Sequence, residues 1–369
     1  MRPLLLVTEL EDYTIAYANG LARHLPVTLA VPRRRYGHLT RWFSPGVDLR
    51  LLDWPRHRSP ANLRLLMGLD RLIRQERPDI IHLLSNTTLW LNLVAPLWRR
   101  RALLTTVHDV EVHPGDAETR TLPTWASTLM ARQSPDLVVH GPALRAQAAS
   151  RFRKAPNRVH VLSHPAICRY ADLAREAGLT PNRAPGSFNV LMFGRIFAYK
   201  GLNHLIRAEA LLGRRIPGLR LTIAGRGDDP WQLRDEMGDP ARYDVRNRFI
   251  EDTEVAQLFL DADVVVLPYI EASQSGVLNV AAAFGKPVVA SDLGELGSTV
   301  RENRLGLVVP AGQPQQLADA LATLAAQPDT RNFLGAQALA WAKGENAPET
   351  VGAQAAALYH EIVQKRRCA

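Results

Sequence analysis

Asn189-Val190-Leu191-Met192-Phe193-Gly194-Arg195-Ile196-Phe197-Ala198-Tyr199-Lys200-Gly201 is the stretch that decides the fold. Four apolar residues run from Val190 to Phe193, as in a strand buried on both faces. Gly194 then lets the chain turn, and two cations five positions apart, Arg195 and Lys200, stand at the head of a helical stretch. A planar guanidinium fork and a compact ammonium together suit a diphosphate. Alone, the same residues read as a solvated turn with two surface cations.

The same rhythm of short apolar run and longer amphipathic stretch extends both ways. On the N-terminal side the expected strands are Leu4–Val7, Val27–Val31, Asp79–Leu84, Leu103–Val107, Leu137–Val139 and Val159–Leu162. On the other side they are Asn189–Phe193, Leu219–Ala224, Val264–Leu267, Pro287–Ala290 and Leu307–Val309. Strands separated by helices argue for parallel βαβ units in doubly wound sheets, which bind ligands at strand carboxyl ends. The rhythm breaks at 163–188, where Thr180-Pro181-Asn182-Arg183-Ala184-Pro185-Gly186-Ser187 punctuates the chain. This predicts a domain over 1–165, a linker over 166–188 and a second domain over 189–345. A last helix over 346–369, with no strand after it, packs back toward the first domain.

Composition narrows the class. The 369 residues are 46% hydrophobic and 22% charged, which excludes wholesale disorder and suits two domains. Cys168 and Cys368 are too few for a disulfide framework or a four-ligand zinc site. No apolar run approaches the ~18 residues of a membrane span, and the four apolar residues after Pro3 are too few for a signal peptide. The expectation is a cytoplasmic protein, or one peripheral on the inner face of the cytoplasmic membrane. Residues 1–180 carry 25 basic and 15 acidic side chains, and the remainder 20 and 21, so the whole excess of +9 sits on the first half. The basic runs lack interleaved aromatic platforms, which argues against nucleic acid as a partner.

Three more features fall at strand ends. Gly225-Arg226-Gly227 closes Leu221–Ala224 in a tight turn but lacks the third glycine of a dinucleotide fingerprint. Ser275-Gly276-Val277-Leu278 opens an Ala-rich helix after Leu267-Pro268, so free backbone N–H groups and a positive dipole end face an anion. Gly285-Lys286-Pro287-Val288-Val289-Ala290 is a further buried strand, followed by Gly306–Pro310.

In this order and spacing the motifs resemble the retaining glycosyltransferases of family 4, in a bacterial polysaccharide-type branch. The carrying residues are Arg195…Lys200-Gly201, Gly225-Arg226-Gly227, Ala262-Asp263-Val264…Pro268, Gly285–Ala290 and Gly306–Pro310, spanning about residues 189–325. The resemblance implies the GT-B fold: two Rossmann-like domains facing a central cleft, the first binding acceptor and the second a nucleotide sugar. It implies Arg195 and Lys200 as catalytic cations on the donor diphosphate, assisted by Ser275, Gly276, Val277 and Leu278. His108, in Thr105-Thr106-Val107-His108-Asp109, would face the transferred sugar. Electrostatic stabilisation of the leaving group then needs no metal and no cofactor.

Two departures stand out. The family commonly carries two glutamates eight positions apart, and here those positions are Ala272 and Val280. Glu271, Ser273, Gln274 and Asn279 are the polar residues nearby, assigned to donor sugar and ribose, with base contacts at Phe249, Ile250 and Glu251. The first strand is followed not by a glycine-rich loop but by Glu9, Glu11, Asp12 and Tyr13, which suit acceptor hydroxyls. Gly194, Gly225 and Gly227 serve the turns. The Asp261-Ala262-Asp263 run straddles a helix end and a strand start, so it is set aside as a metal site. The expected activity is retaining, metal-independent hexosyl transfer from a UDP- or GDP-sugar to a saccharide or lipid-linked acceptor. The alternatives are a GT-B sugar-nucleotide epimerase and a non-catalytic sugar- or nucleotide-binding protein. The Trp90–Arg101 segment, with interfacial aromatics and a basic end, adds an anionic membrane surface as a candidate partner.

Overall fold

The computed structural model describes residues 1–56, 59–86, 88–110, 124–272 and 274–368. They divide into two compact units. One holds the described residues up to 165 together with those from 345 onward, and the other holds 166–344. The predicted α/β class with two parallel sheets is what the chain forms.

In the first unit, β1 (Pro3–Leu6), β2 (Val27–Pro32), β3 (Val47–Leu52), β4 (Ile80–Leu83), β5 (Ala102–Thr106), β6 (Asp136–Val139) and β7 (Val159–Val161) form one sheet. Its order is β3-β2-β1-β4-β5-β6-β7, and every pairing is parallel. In the second unit, β8 (Phe188–Phe193), β9 (Leu219–Gly225), β10 (Tyr243–Asn247), β11 (Val264–Leu267), β12 (Val288–Ser291) and β13 (Gly306–Val309) pair in the order β10-β9-β8-β11-β12-β13. In each sheet the strand order turns back once, between β1 and β4 and between β8 and β11. Ligands bind open α/β sheets at such switch points.

Two strands escaped the sequence reading, and both are edges. β3 (VDLRLL) and β10 (YDVRN) break their apolar run with an Asp-x-Arg pair. Those pairs close as ion pairs at 2.7 Å in both cases, Asp48–Arg50 and Asp244–Arg246. Charge on an edge strand blocks further pairing, at the expense of the hydrophobic signal that marks central strands.

The segment read as a linker is more firmly placed than that word suggests. It contains the helix Arg169–Glu176, whose Tyr170, Leu173 and Ala174 are buried. Ala166, Ile167, Tyr170 and Ala174 lie in the hydrophobic cluster of β11 and β12. The Arg169 side chain, 5% exposed, pairs with Asp252. Residues 166–176 are therefore part of the second unit's core.

The final helix, Pro348–Arg367, belongs to the first unit and crosses the helix Glu11–Ala22. A Cβ on Gly20 would lie 1.8 Å from the Pro348 carbonyl oxygen, and one on Gly352 would lie 2.2 Å from the Gly20 carbonyl carbon. Backbone-to-backbone approach is what these two glycines permit.

Candidate functional site

In the second unit the site is built where β8 and β11 end. After Phe193 the chain turns at Gly194, with φ of 107°. Ile196 N donates to Arg226 O at 2.8 Å and Asp228 N donates to Ile196 O at 2.7 Å, so the loops after β8 and β9 run side by side. A Cβ on Gly225 would sit 1.8 Å from Gly194 O, and one on Gly227 would sit 2.0 Å from Ile196 O. The Gly-x-Gly motif thus serves contact between loops. Asn247, which the sequence reading passed over, clips this turn from β10: it accepts from Gly227 N and donates to Gly227 O, each at 3.2 Å.

Arg195 is exposed, its guanidinium 5.5 Å from the Phe197 ring centre. Lys200 closes the short turn Ala198–Lys200, and Gly201 (φ 71°) follows. A Cβ on Gly201 would lie 1.9 Å from Pro268 O, so this turn seats directly on the end of β11. There the Lys200 ammonium lies 3.9 Å from the centre of the Tyr269 ring.

Ser275 takes the N-cap position of the helix Gly276–Ala283, with extended backbone angles. Its hydroxyl does not cap that helix; it bonds the Tyr269 hydroxyl at 3.0 Å. Gly194 faces this helix start, its Cβ position 3.6 Å from a Val277 methyl. Arg195, Lys200 and the N-terminus at Ser275–Leu278 therefore gather on one side of the switch point. Gly276 and Val277 are half-buried and Leu278 is buried. Asn279 is buried too, its amide donating to Ser275 O at 3.3 Å. Glu271 and Gln274 are half-buried, and Ser273 lies outside the described residues. Ala272 and Val280, at the positions of the family's glutamates, both pack with the apolar core.

The three residues assigned to the base divide. Phe249, 64% exposed, follows the carboxyl end of β10. Ile250 is in the core, and exposed Glu251 precedes the helix Asp252–Asp261. Both carboxylates of the Asp261-Ala262-Asp263 run hold structure: Asp261 accepts from Asn182 N at 2.6 Å and Asp263 accepts from Asn189 N at 2.9 Å.

The first unit gathers a second set of residues at the ends of β4 to β7. His108 donates from Nε2 to Leu84 O at 2.8 Å, and His140 donates from Nδ1 to Leu162 O at 3.0 Å. Their remaining ring nitrogens lie 3.1 Å apart, a pair that becomes a hydrogen bond only when one of the two rings takes up a second proton. The Tyr13 ring packs on His108, His140 and His164, with centres 4.7, 5.3 and 4.8 Å away. Below them His82 bonds Thr106 Oγ1 at 2.8 Å and Tyr359 Oη at 2.5 Å. Burial opposes charge on all four imidazoles. It lowers His108 and, more strongly, His140; it takes His82 down to about 3 and His164 to about 4. Neutral rings at these positions act as hydrogen-bonding groups. Only His108 was legible beforehand; a histidine recurring shortly after successive strands was the signal for His140 and His164, whereas His82 lies inside β4.

The acidic residues after β1 differ from the loop that was expected. Glu11, Asp12 and Tyr13 already lie in the helix Glu11–Ala22, where the two carboxylates of the first turn complement the dipole. Glu11 pairs with Arg35 at 2.9 Å, and Tyr13 is buried. Glu9 stays outside the helix, its amide donating to Ser85 Oγ at 3.1 Å beside the β1/β4 switch point.

Comparison with known proteins agrees with this architecture. Residues 187–327 match the family described as "Glycosyl transferases group 1", and residues 9–165 match "Glycosyl transferase 4-like domain". The D-inositol 3-phosphate glycosyltransferase of Saccharomonospora viridis is 31% identical over 297 residues, covering 73% of this chain and 68% of the relative. The chain belongs to the group 1 glycosyl transferases. The enzyme of the same name from Pseudarthrobacter chlorophenolicus is 38% identical over 157 residues, 41% of this chain. That match spans 37% of the relative's length, so in this alignment the kinship is one of part of each chain. Among solved structures, HepE of Anabaena in complex with UDP superposes with a TM-score of 0.68 at 19% identity, covering 98% of this chain and all of that one. The fold is GT-B.

Proposed function

We propose that this group 1 glycosyl transferase is a retaining, metal-independent hexosyltransferase that uses a UDP- or GDP-sugar. The carrying observation is the convergence of Arg195, Lys200 and the N-terminus of Gly276–Ala283 at the carboxyl ends of β8 and β11. As the bond from anomeric carbon to phosphate breaks, charge grows on the departing diphosphate. Two cations and the positive end of the helix Gly276–Ala283 stabilise it there, with no reorganisation at the moment of reaction. The acceptor hydroxyl attacks from the same face and its proton passes to the leaving phosphate, so no carboxylate nucleophile is called for. Ala272 and Val280 are compatible with that scheme. The UDP held by HepE favours a uridine donor, and the phosphorylated inositol named for the Saccharomonospora relative favours an anionic acceptor. The acceptor is a saccharide, glycolipid or related lipid-linked species, drawn to the basic first unit, where Glu9, Glu11 and Asp12 would contact its hydroxyls.

Calorimetric titration with UDP and GDP tests the donor site. Arg195→Ala and Lys200→Ala should each weaken the better ligand by about 10- to 100-fold, the ~1.5–3 kcal/mol of a charge-assisted hydrogen bond. Unchanged affinity in both variants would remove the assignment. Transfer that persists in EDTA, with the anomeric configuration of the product read by proton NMR, tests the remaining terms.

A further inference from the structure

We propose that Tyr269 is the positioning residue that joins the two halves of the diphosphate site, its ring holding Lys200 and its hydroxyl holding the helix start at Ser275. The proposal rests on the donor-site reading above. Tyr269 lies two residues beyond β11 and is 2% exposed. Its ring centre is 3.9 Å from the Lys200 ammonium, the closest approach of a cation to a ring among the described residues. An ammonium over an aromatic face is attracted by the ring quadrupole. At the other end of the ring, the hydroxyl bonds Ser275 Oγ at 3.0 Å, and Ser275 is itself 6% exposed.

The backbone around this residue is arranged to keep the alignment. Ile270 N donates to Tyr199 O at 2.9 Å, and the Tyr199 ring meets the Tyr269 ring edge-on with centres 6.4 Å apart. Gly201 brings the turn against Pro268 O. The Ser275 hydroxyl, occupied by Tyr269, leaves the first N–H groups of the helix uncapped by its side chain. That is the state an incoming anion requires. Leucine at 269 would fill part of the volume but supply neither the quadrupole nor the hydroxyl.

A double-mutant cycle on UDP affinity, or GDP affinity where GDP binds better, separates this role from general packing. Tyr269→Leu should weaken binding about tenfold in the native background but only by the hydroxyl's share, about threefold or less, in Lys200→Ala, because the ring acts through that ammonium. Tyr269→Phe keeps the ring and should weaken binding about threefold or less. Replacing that phenylalanine by 3,4,5-trifluorophenylalanine, which drains the quadrupole at nearly constant shape, should restore the tenfold loss and stands in should Tyr269→Leu not fold. Equal affinities for the phenylalanine and trifluorophenylalanine proteins, or an equal effect of Tyr269→Leu in both backgrounds, would overturn the proposal while leaving the donor site standing. If Lys200→Ala itself leaves UDP and GDP affinity unchanged, the donor-site reading falls and takes this proposal with it.

Discussion

A buried imidazole that stays neutral in the folded chain ties stability to pH. His82 and His140 are both buried, and burial holds their proton affinity below the ordinary value near 6.5. Unfolding returns them to water, so below about pH 6.5 the unfolded chain binds more protons and stability falls as pH falls. Each group contributes a slope of ~1.4 kcal/mol per pH unit, which for His82 persists down to about pH 3. Urea unfolding between pH 7.5 and 4.5 should show a falling midpoint, and His82→Gln should flatten the curve. A midpoint independent of pH over that range would contradict neutral burial. These residues also mark how far the sequence could be read. His82, His108, His140 and His164 are 26, 32 and 24 positions apart. No local window contains two of them, and only the parallel pairing of β4, β5, β6 and β7 brings them together.

At the scale of elements, the crossing of Glu11–Ala22 and Pro348–Arg367 depends on two glycines. Gly352→Val would force side-chain atoms into the Gly20 backbone and should destabilise the first unit by at least ~2–3 kcal/mol. Thermal unfolding of Gly352→Ala and Gly352→Val would show a graded fall. Equal midpoints would mean that the helices do not meet at these residues. The apolar face of this helix, with Val351, Ala355, Tyr359 and Ile362, calls for a partner, but the place of crossing is not written in it. Strand reading succeeded where a run was apolar, as in Val264–Leu267 and in the stretch read as Pro287–Ala290, which forms Val288–Ser291. It failed at β3 and β10, where an edge faces water and charge replaces apolar residues.

At the scale of the whole molecule, the charge asymmetry follows the structural division. Residues 1–165 and 345–369 carry 26 basic and 16 acidic side chains; residues 166–344 carry 19 and 20. Part of the excess is spent internally: Arg101 donates to Pro78 O, Arg145 to Pro156 O and Lys154 to Arg132 O. Exposed apolar residues recur four positions apart at Leu63 and Met67 and again at Leu93 and Leu97, all at least 55% exposed, on neighbouring helical segments. Arg64 lies between the residues of the first pair and Arg71 one turn beyond Met67, both exposed. No helix among the described residues is long and apolar enough to cross a membrane. We propose that this face meets an anionic lipid surface. Binding to phosphatidylglycerol vesicles should fall with rising salt and drop at least tenfold in Leu93→Asp/Leu97→Asp. Equal partition to neutral vesicles, or none to either, would rule it out.

The sequence alone determined the α/β class, the central strands and the order of the motifs at their ends. Each of these is written in contiguous residues: an apolar run, a turn glycine, a cation at a fixed offset. Tertiary structure decided which separated residues share a site. It placed Lys200 on the face of Tyr269, turned Ser275 toward that ring instead of its own helix, and bound residues 166–176 into the second core. It also brought four distant histidines to neighbouring strands. Those relations depend on strand order, and a sheet's order comes from packing between segments far apart in the chain, which no single stretch encodes.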